Sequence, residues 1–228
     1  MRIVAWNCRM GFAKKRELLY NLRPDIAVIS ECSDDSMLVC KQDGFDSCWW
    51  GENKNKGLGV LVRRPWALEC VGKPGLQPRQ RWIAPVRVRG PLEFLLLAVW
   101  AGRVGDDKEP NYVGQIYEAV VRHPNWFAGA RPAVICGDFN SNTNFDHARK
   151  RRTHSRLVQL LAARGMVSAY HSFSRRTRAK KAARPTTSGV RRNAPSTSIT
   201  SFCPRNGASR PVRSERTRHG GLRATTFR

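Results

Sequence analysis

The sequence predicts an α/β protein in which two packed β-sheets are flanked by helices. Apolar runs of strand length recur along the first 173 residues, and only a few helical segments separate them. The longest apolar run, from Phe94 to Ala101, is a strand's length and falls well short of the roughly 18 residues that a membrane-spanning helix needs. Many strands with few intervening helices are typical of layered sheets covered by helices.

In the N-terminal half, apolar runs bounded by polar turns indicate strands, and leucines at helical spacing indicate one helix over residues 13–22. The last two of the predicted strands surround a polar connection, so we expect them to pair with each other. The predicted strands of this half are residues 1–6, 26–30, 45–50 and 57–62.

The same patterns continue up to Phe173. Residues 89–91 read Arg-Gly-Pro and predict a turn between two strands. Helices are predicted over residues 112–122 and 155–164, the second with three leucines on one face. The predicted strands of this part are residues 82–88, 92–100, 132–136 and an extended segment from residue 167 to 170.

Polar side chains follow three of these strands directly. Asn7 follows the first strand, Glu31 follows the second, and Gly-Asp-Phe-Asn-Ser-Asn follows the apolar run that ends at Cys136. An α/β scaffold presents its functional side chains at such strand ends. Asp138 can orient a water or help to hold a hard cation, and Asn140 can donate a hydrogen bond to a phosphate oxygen. The three strand ends therefore predict one convergent site that binds metal and handles phosphate.

Three motifs resemble those of the endonuclease/exonuclease/phosphatase superfamily, which includes exodeoxyribonuclease III and deoxyribonuclease I. They are Trp-Asn-Cys at residues 6–8, Arg-Pro-Asp-Ile-Ala-Val-Ile-Ser-Glu at 23–31 and Gly-Asp-Phe-Asn-Ser-Asn at 137–142. Each is weak alone, but their order, spacing and shared place at strand ends make the set fairly specific. The resemblance implies a four-layer α/β sandwich that ends near Phe173, and hence a fold incomplete at its C-terminus.

The resemblance also implies roles for the strand-end residues. Glu31 would be the metal ligand, and Asn7 beside it would position the metal and the phosphate. Asp138 would orient or deprotonate the attacking water, Asn140 would bind the scissile phosphate, and Asn142 would add a second phosphate contact. Oxygen donors of this kind suit Mg²⁺ or Mn²⁺. Each residue also has an ordinary structural role open to it, as a turn residue or a solvated strand-end acid.

Further candidates for contacting substrate are less specific. Trp50 precedes a polar loop and could meet a base, Tyr112 could approach the phosphate from a helix start, and His171 lies near a strand end. Packing or surface roles remain open for all three. Superfamily members usually carry a His at the end of a middle strand, but here that strand runs into Trp100 and Ala101 instead.

The net charge indicates the kind of binding partner, and the cysteine content indicates the cellular compartment. The formal net charge is +24, of which residues 1–173 carry +10, so a polyanion such as DNA or RNA is the expected partner. Seven cysteines without disulfide or zinc spacing predict free thiols in a reducing cytoplasm. Neither a secretory signal nor a membrane span is visible, and we expect a cytoplasmic monomer.

Residues 174–228 form a basic, low-complexity tail with 15 Lys and Arg and a single acid, Glu215. One interpretation is a disordered tail that binds nucleic acid electrostatically. The other is a frameshift. Read one base out of register, the codons for residues 197–204 permit His-Ile-Asp-Tyr-Val-Phe-Leu-Pro, and those for 224–228 permit Ser-Asp-His-Val-Pro. These match the two closing motifs of the superfamily, so we favour a one-base deletion near codons 173–178.

The sequence thus predicts a domain over residues 1–173 that hydrolyses phosphodiesters with a divalent metal, most simply as a nuclease. Because the closing Asp-His motif is lost in the written frame, we expect this chain to be weak or inactive. The alternative is a nucleic-acid-binding protein without catalysis, in which the basic tail acts as a salt-sensitive tether.

Overall fold

In the computed structural model, the described residues are 1–71, 82–103, 112–128, 131–147 and 151–169, with the backbone of three strands between 199 and 227. Within these residues the strands form two six-stranded sheets. Each sheet mixes parallel and antiparallel neighbours. No helix of the described part is long and apolar enough to cross a membrane.

The first sheet brings the first two predicted strand ends side by side. Its order is β11-β12-β1-β2-β4-β3. β1 and β2 are parallel, so their carboxyl ends lie at the same edge of the sheet. β3 and β4 form the predicted antiparallel hairpin. The strands are β1 (Arg2–Asn7), β2 (Ile26–Cys32), β3 (Phe45–Asn53), β4 (Lys56–Arg63), β11 (Pro211–Arg216) and β12 (Leu222–Phe227).

The second sheet carries the third strand end. Its order is β5-β6-β7-β8-β10-β9. β7 and β8 are parallel, and Trp100 at the end of β7 stands in register with Asp138 at the end of β8. The strands are β5 (Ala67–Cys70), β6 (Ile83–Arg89), β7 (Phe94–Trp100), β8 (Ala133–Asp138), β9 (Met166–Ser168) and β10 (Ile199–Pro204).

Four helices flank the sheets within the described residues: α1 (Phe12–Tyr20), α2 (Asp34–Gln42), α3 (Val113–Arg122) and α4 (His154–Ala163). The prediction found three of them and missed α2. The start of α2 does have a local signal, because the Ser33 hydroxyl accepts a hydrogen bond from the Ser36 backbone and two acids occupy the first turn. Its apolar face is short, with Met37 and Cys40 as the buried apolar residues, and this leaves little periodicity to read.

Three apolar layers hold the fold together. The inner layer lies between the sheets and includes Val28 and Val60 from the first sheet and Val86 and Leu96 from the second. One outer layer packs α1 and α2 on the first sheet, and the other packs α3 and α4 on the second. Full burial of each such side chain stabilises the fold by about 1.5–3 kcal/mol. The predicted four-layer α/β sandwich is confirmed.

Two features depart from the sequence expectations. The range read as a tail contributes backbone to both sheets, since β10 pairs with β8 and β9 while β12 pairs with β1 and β11. The expectation of seven free thiols is wrong for Cys48 and Cys70, which form a disulfide between β3 of one sheet and β5 of the other. Within the described residues, Cys8, Cys32, Cys40 and Cys136 are free and buried.

Candidate active site

The three predicted strand ends meet at one place, where the two sheets face each other. The side-chain amide of Asn7 donates to Glu31 Oε1 at 3.1 Å and to Asp138 Oδ2 at 2.8 Å. Glu31 belongs to the same sheet as Asn7, whereas Asp138 ends a strand of the other sheet. Two carboxylates separated by more than 100 positions in the chain thus share one amide nitrogen.

The orientation of the Asn7 amide is fixed by a further hydrogen bond. Its Oδ1 accepts from the backbone nitrogen of Arg9 at 3.0 Å. Because an amide oxygen can only accept, this contact turns the NH₂ group toward the two carboxylates. Asn7 therefore acts as a fixed donor that holds the two acids together.

Glu31 stands at an irregularity in β2. The pairing of β2 with β4 shifts register between Ser30 and Cys32, and Glu31 itself has φ +61°. The loop after β1 secures this conformation, because the Met10 nitrogen donates to the Glu31 carbonyl at 3.0 Å. Arg9 and Met10 also have positive φ. Non-glycine residues held in the left-handed region cluster at functional sites, and here they turn the Glu31 side chain out of the regular strand alternation.

Gly137 is required where β8 approaches β7. Its φ is +142°, and a Cβ placed on it would lie 2.0 Å from the Val99 carbonyl oxygen. No side chain fits there without moving one strand off the other. This close approach places the next residue, Asp138, level with Trp100 at the edge of the sheet.

Asp138 is a buried acid held from several directions. Only 1% of the residue is exposed. Its Oδ1 accepts from the Asn140 backbone nitrogen at 3.0 Å, and its own carbonyl accepts from the Ala101 nitrogen at 2.8 Å. Burial raises the pKa of Asp138, with Glu31 adding to the rise, while the hydrogen bonds from Asn7 and Asn140 act in the opposite direction. Such a carboxylate is a stronger base than an exposed one.

Asn140 adopts φ +44° and reaches back to the neighbouring strand. Its Nδ2 donates to the Ala101 carbonyl at 2.7 Å. An amide NH₂ has two hydrogens, so Asn140 can donate a second hydrogen bond, for which the Asp138 carboxylate and a substrate oxygen compete. The segment after β7 is itself tied to α3, because Gln115 donates from its buried side chain to the Gly102 carbonyl at 2.5 Å.

The donor set suits a hard divalent cation. Glu31 and Asp138 supply carboxylate oxygens, whereas Asn7 presents its NH₂ group to them and its oxygen to the Arg9 nitrogen. Mg²⁺ is usually held in proteins by one or two carboxylates together with waters and substrate phosphate. Within the described ranges, no group of three or more His, Cys, Asp or Glu converges as a metal cage. Two like-charged carboxylates around one amide nitrogen form a place where added positive charge is favoured.

Three of the other predicted contacts, Asn142, Trp50 and Tyr112, are among the described residues. Asn142 caps a short 3-10 turn, Thr143–Phe145, by accepting from the Asn144 nitrogen at 2.8 Å. Trp50 is half-buried and packs against the inner apolar layer. Tyr112 is 43% exposed and precedes α3. The described hydrogen bonds that join Asn7, Glu31, Asp138 and Asn140 include none of these three, and His171 lies outside the described residues.

The sequence reasoning missed Lys56. Its Nζ lies 3.9 Å from Glu31 Oε2 and 5.3 Å from the ring centroid of Trp100. A signal for this contact was present. The sequence predicted β4 as the second strand of a hairpin with β3. In the structure β4 also pairs antiparallel with β2, and this pairing brings the first residue of β4 to the end of β2, where Glu31 lies.

Solved structures share this fold at low sequence identity. The truncated TDP2 of Caenorhabditis elegans is 14% identical over 99% of this chain and 96% of its own, with a TM-score of 0.62. The human Nocturnin catalytic domain with bound sulfate anion is 13% identical over 100% and 94%, with a TM-score of 0.65. An AP endonuclease from Archaeoglobus fulgidus is 12% identical over 100% and 98%, with a TM-score of 0.63.

A search of the curated proteins finds no match. The model of the Endonuclease/Exonuclease/phosphatase family, by contrast, matches residues 4–212. This range extends beyond Phe173, where the motifs placed the end of the resemblance. Since the match covers most of the sequence, including every residue of the convergent site, the chain belongs to the Endonuclease/Exonuclease/phosphatase family.

Proposed function

We propose that the protein hydrolyses phosphodiester bonds of nucleic acid, with Mg²⁺ or Mn²⁺ held at Glu31, beside Asn7. Membership of the family supports a phosphodiesterase or nuclease type of function. The observation that carries the proposal is the Asn7 amide, which joins carboxylates from both sheets at one point. A purely structural role would not require this bridge, because burying two carboxylates around one donor costs free energy of folding.

Glu31, Asp138 and Asn140 have different roles in the proposed hydrolysis. A divalent cation at Glu31 would neutralise the charge that develops on the phosphate oxygens. Asp138 orients the attacking water and takes its proton, since its carboxylate is buried and aimed by two hydrogen bonds. Asn140 donates its second amide hydrogen to the scissile phosphate while Ala101 holds the first.

The balance of charge favours a polyanionic substrate. Residues 1–173 carry a net charge of +10 even though the site itself is acidic, so the basic surplus lies elsewhere on the domain. Basic surfaces bind nucleic acid through its phosphates. A structural neighbour, TDP2 of D. rerio, is described in complex with a single strand DNA product, at 12% identity and a TM-score of 0.57. Both points support DNA or RNA over a small phosphomonoester.

A cleavage assay tests this proposal. Labelled DNA and RNA oligonucleotides are incubated with Mg²⁺ or Mn²⁺ and the variants Asn7→Ala, Glu31→Gln and Asp138→Asn. We expect each variant to lower the rate by roughly 10²–10⁴-fold, the usual effect of removing a general base or metal ligand. Asp35→Asn removes an exposed carboxylate on α2 and serves as the matched control. Binding without cleavage, unchanged by these substitutions, would favour the non-catalytic alternative.

The activity of this chain is expected to be low. The described histidines lie on other elements, as with His123, which stacks on Trp126, and His154, which begins α4. In the pairing of β10 with β8, the backbone of residue 199 stands opposite Asp138. Residue 199 is Ile in the written frame and is permitted to be Asp in the shifted one. The frameshift would therefore remove an acid from beside the proposed base.

The nucleotide sequence across codons 170–180 tests the frameshift, together with the intact mass of the product. If a base is missing, restoring it should raise the cleavage rate by about 10³-fold, because a complete set of catalytic groups acts as a unit. A clean single frame with an expressed product of 25.8 kDa would reject the frameshift and leave residues 174–228 as an evolved tail.

A further inference from the structure

Lys56 is the cation that the described structure places against the acids of the site. It begins β4, at the tip of the hairpin with β3, and its side chain reaches from the first sheet to the second. On one side its ammonium lies 3.9 Å from Glu31 Oε2, and on the other it lies 5.3 Å from the ring centroid of Trp100. The side chain is 43% exposed, so the ammonium is also open to solvent.

The aromatic surface under Lys56 is formed by two packed tryptophan rings. Trp100 is 8% exposed and ends β7 in register with Asp138. The ring of Trp82 packs against it, with 5.2 Å between the ring centroids. A cation over a Trp face is held by electrostatic attraction to the ring, which is worth about 0.5–1 kcal/mol at a partly exposed site. Lys56 is therefore directed toward the site even without its partner Glu31.

The contact with Glu31 is weak by its geometry. A separation of 3.9 Å is at the outer limit of an ion pair, and both groups retain contact with solvent. A divalent cation on Glu31 would repel the ammonium and replace it. The lysine would then keep its aromatic support but lose its anionic partner, next to the position that a substrate phosphate must occupy.

We propose that Lys56 is a phosphate-binding residue of this site, stored as the counter-ion of Glu31 and released to the substrate phosphodiester when a divalent cation binds. The proposal rests on the phosphodiesterase function proposed above. The end of β7, where superfamily members usually carry a His, is occupied here by Trp100 and Ala101. Under the proposal, a lysine on the hairpin supplies positive charge in its place. Lys56 thus links metal binding to substrate binding.

Two binding measurements on Lys56→Met test the proposal. The first is a titration with Mn²⁺ alone, in which the variant should bind the metal about 2–5-fold more tightly because its competitor is gone. The second is the affinity for a labelled DNA oligonucleotide in Mn²⁺, measured in an Asp138→Asn background to suppress cleavage. There Lys56→Met should weaken binding about 5–10-fold and reduce the slope of log K against log salt by about 1.

Lys54→Met is the matched control, because it removes the same charge from an exposed position of the same hairpin. Lys56→Arg should retain most of the oligonucleotide affinity, and thermal melting should show all three variants folded. Identical behaviour of Lys56→Met and Lys54→Met in both titrations would overturn the proposal. If instead the Glu31→Gln variant binds Mn²⁺ as tightly as the parent protein, the proposed function itself fails. This result distinguishes a failure of the proposed function from a failure of the proposal for Lys56.

Discussion

Replacing Asn7 with Asp should make the stability of the fold depend on a bound divalent cation. The amide donates to carboxylates at 3.1 and 2.8 Å, and both bonds would be lost. A hydrogen bond to a charged group contributes about 1.5–3 kcal/mol, so losing two costs at least ~3 kcal/mol. A third carboxylate beside Glu31 and Asp138 adds repulsion, which is limited because one of the three can take up a proton. We expect the free energy of unfolding in EDTA to fall by about 3 kcal/mol.

Urea unfolding of Asn7→Asp, with and without metal, measures this effect. With a slope near ~2 kcal/mol per molar urea, the midpoint in EDTA should fall by about 1.5 M. A divalent cation should restore more stability to the variant than it adds to the parent protein, because the variant offers it three carboxylates. Asn125→Asp, at an exposed position in a short 3-10 turn, controls for the added charge. A variant as stable as the parent in EDTA, or one that gains nothing extra from metal, would refute the reasoning.

Three further substitutions test how the fold supports the site. Gly137→Ala should lower the unfolding free energy by about 2–4 kcal/mol and reduce cleavage, because its Cβ would meet the Val99 carbonyl. The control Gly102→Ala should be near neutral in urea unfolding, because a Cβ there would point into open space. Asp146 accepts from the first two backbone amides of α4 and from the Ser155 hydroxyl. Burial acts to raise its pKa, but these hydrogen bonds, led by that of the hydroxyl, lower it overall. Asp146→Asn should therefore cost about 1 kcal/mol at pH 7. The difference from the parent should shrink as the pH falls from about 4, where the unfolded carboxyl takes up its proton, through the lower pKa of the folded carboxylate. Gln115→Leu should lower the cleavage rate about tenfold while changing unfolding by ~1 kcal/mol, because its bond to the segment that holds Asn140 is lost.

Much of the fold could be predicted from the sequence, because burial on a sheet leaves a local pattern. The strand from Ile26 is buried on both faces and reads as a continuous apolar run, and the hairpin of β3 and β4 is marked by its polar turn. By contrast, β5 is four residues long with two exposed positions, too short to carry a period. In the written frame the C-terminal strands likewise carry no apolar period, and their place is set by pairing with β1 and β8.

For the site, the sequence predicted which strand ends converge but not how they are joined. Asn7, Glu31, Asp138 and Asn140 stood out because each follows an apolar run. The bridge through the Asn7 amide depends on the packing of one sheet on the other, which no local pattern encodes. The same holds for Lys56, whose two partners lie on different sheets.

The most direct test of the account is the position of a bound divalent cation. Crystals grown with Mn²⁺ would show it by anomalous scattering. The account predicts one peak within about 2.2 Å of a Glu31 carboxylate oxygen, with Asn7 and Asp138 around it and the ammonium of Lys56 displaced. A peak elsewhere, with Glu31 still paired to Lys56 at millimolar Mn²⁺, would contradict it.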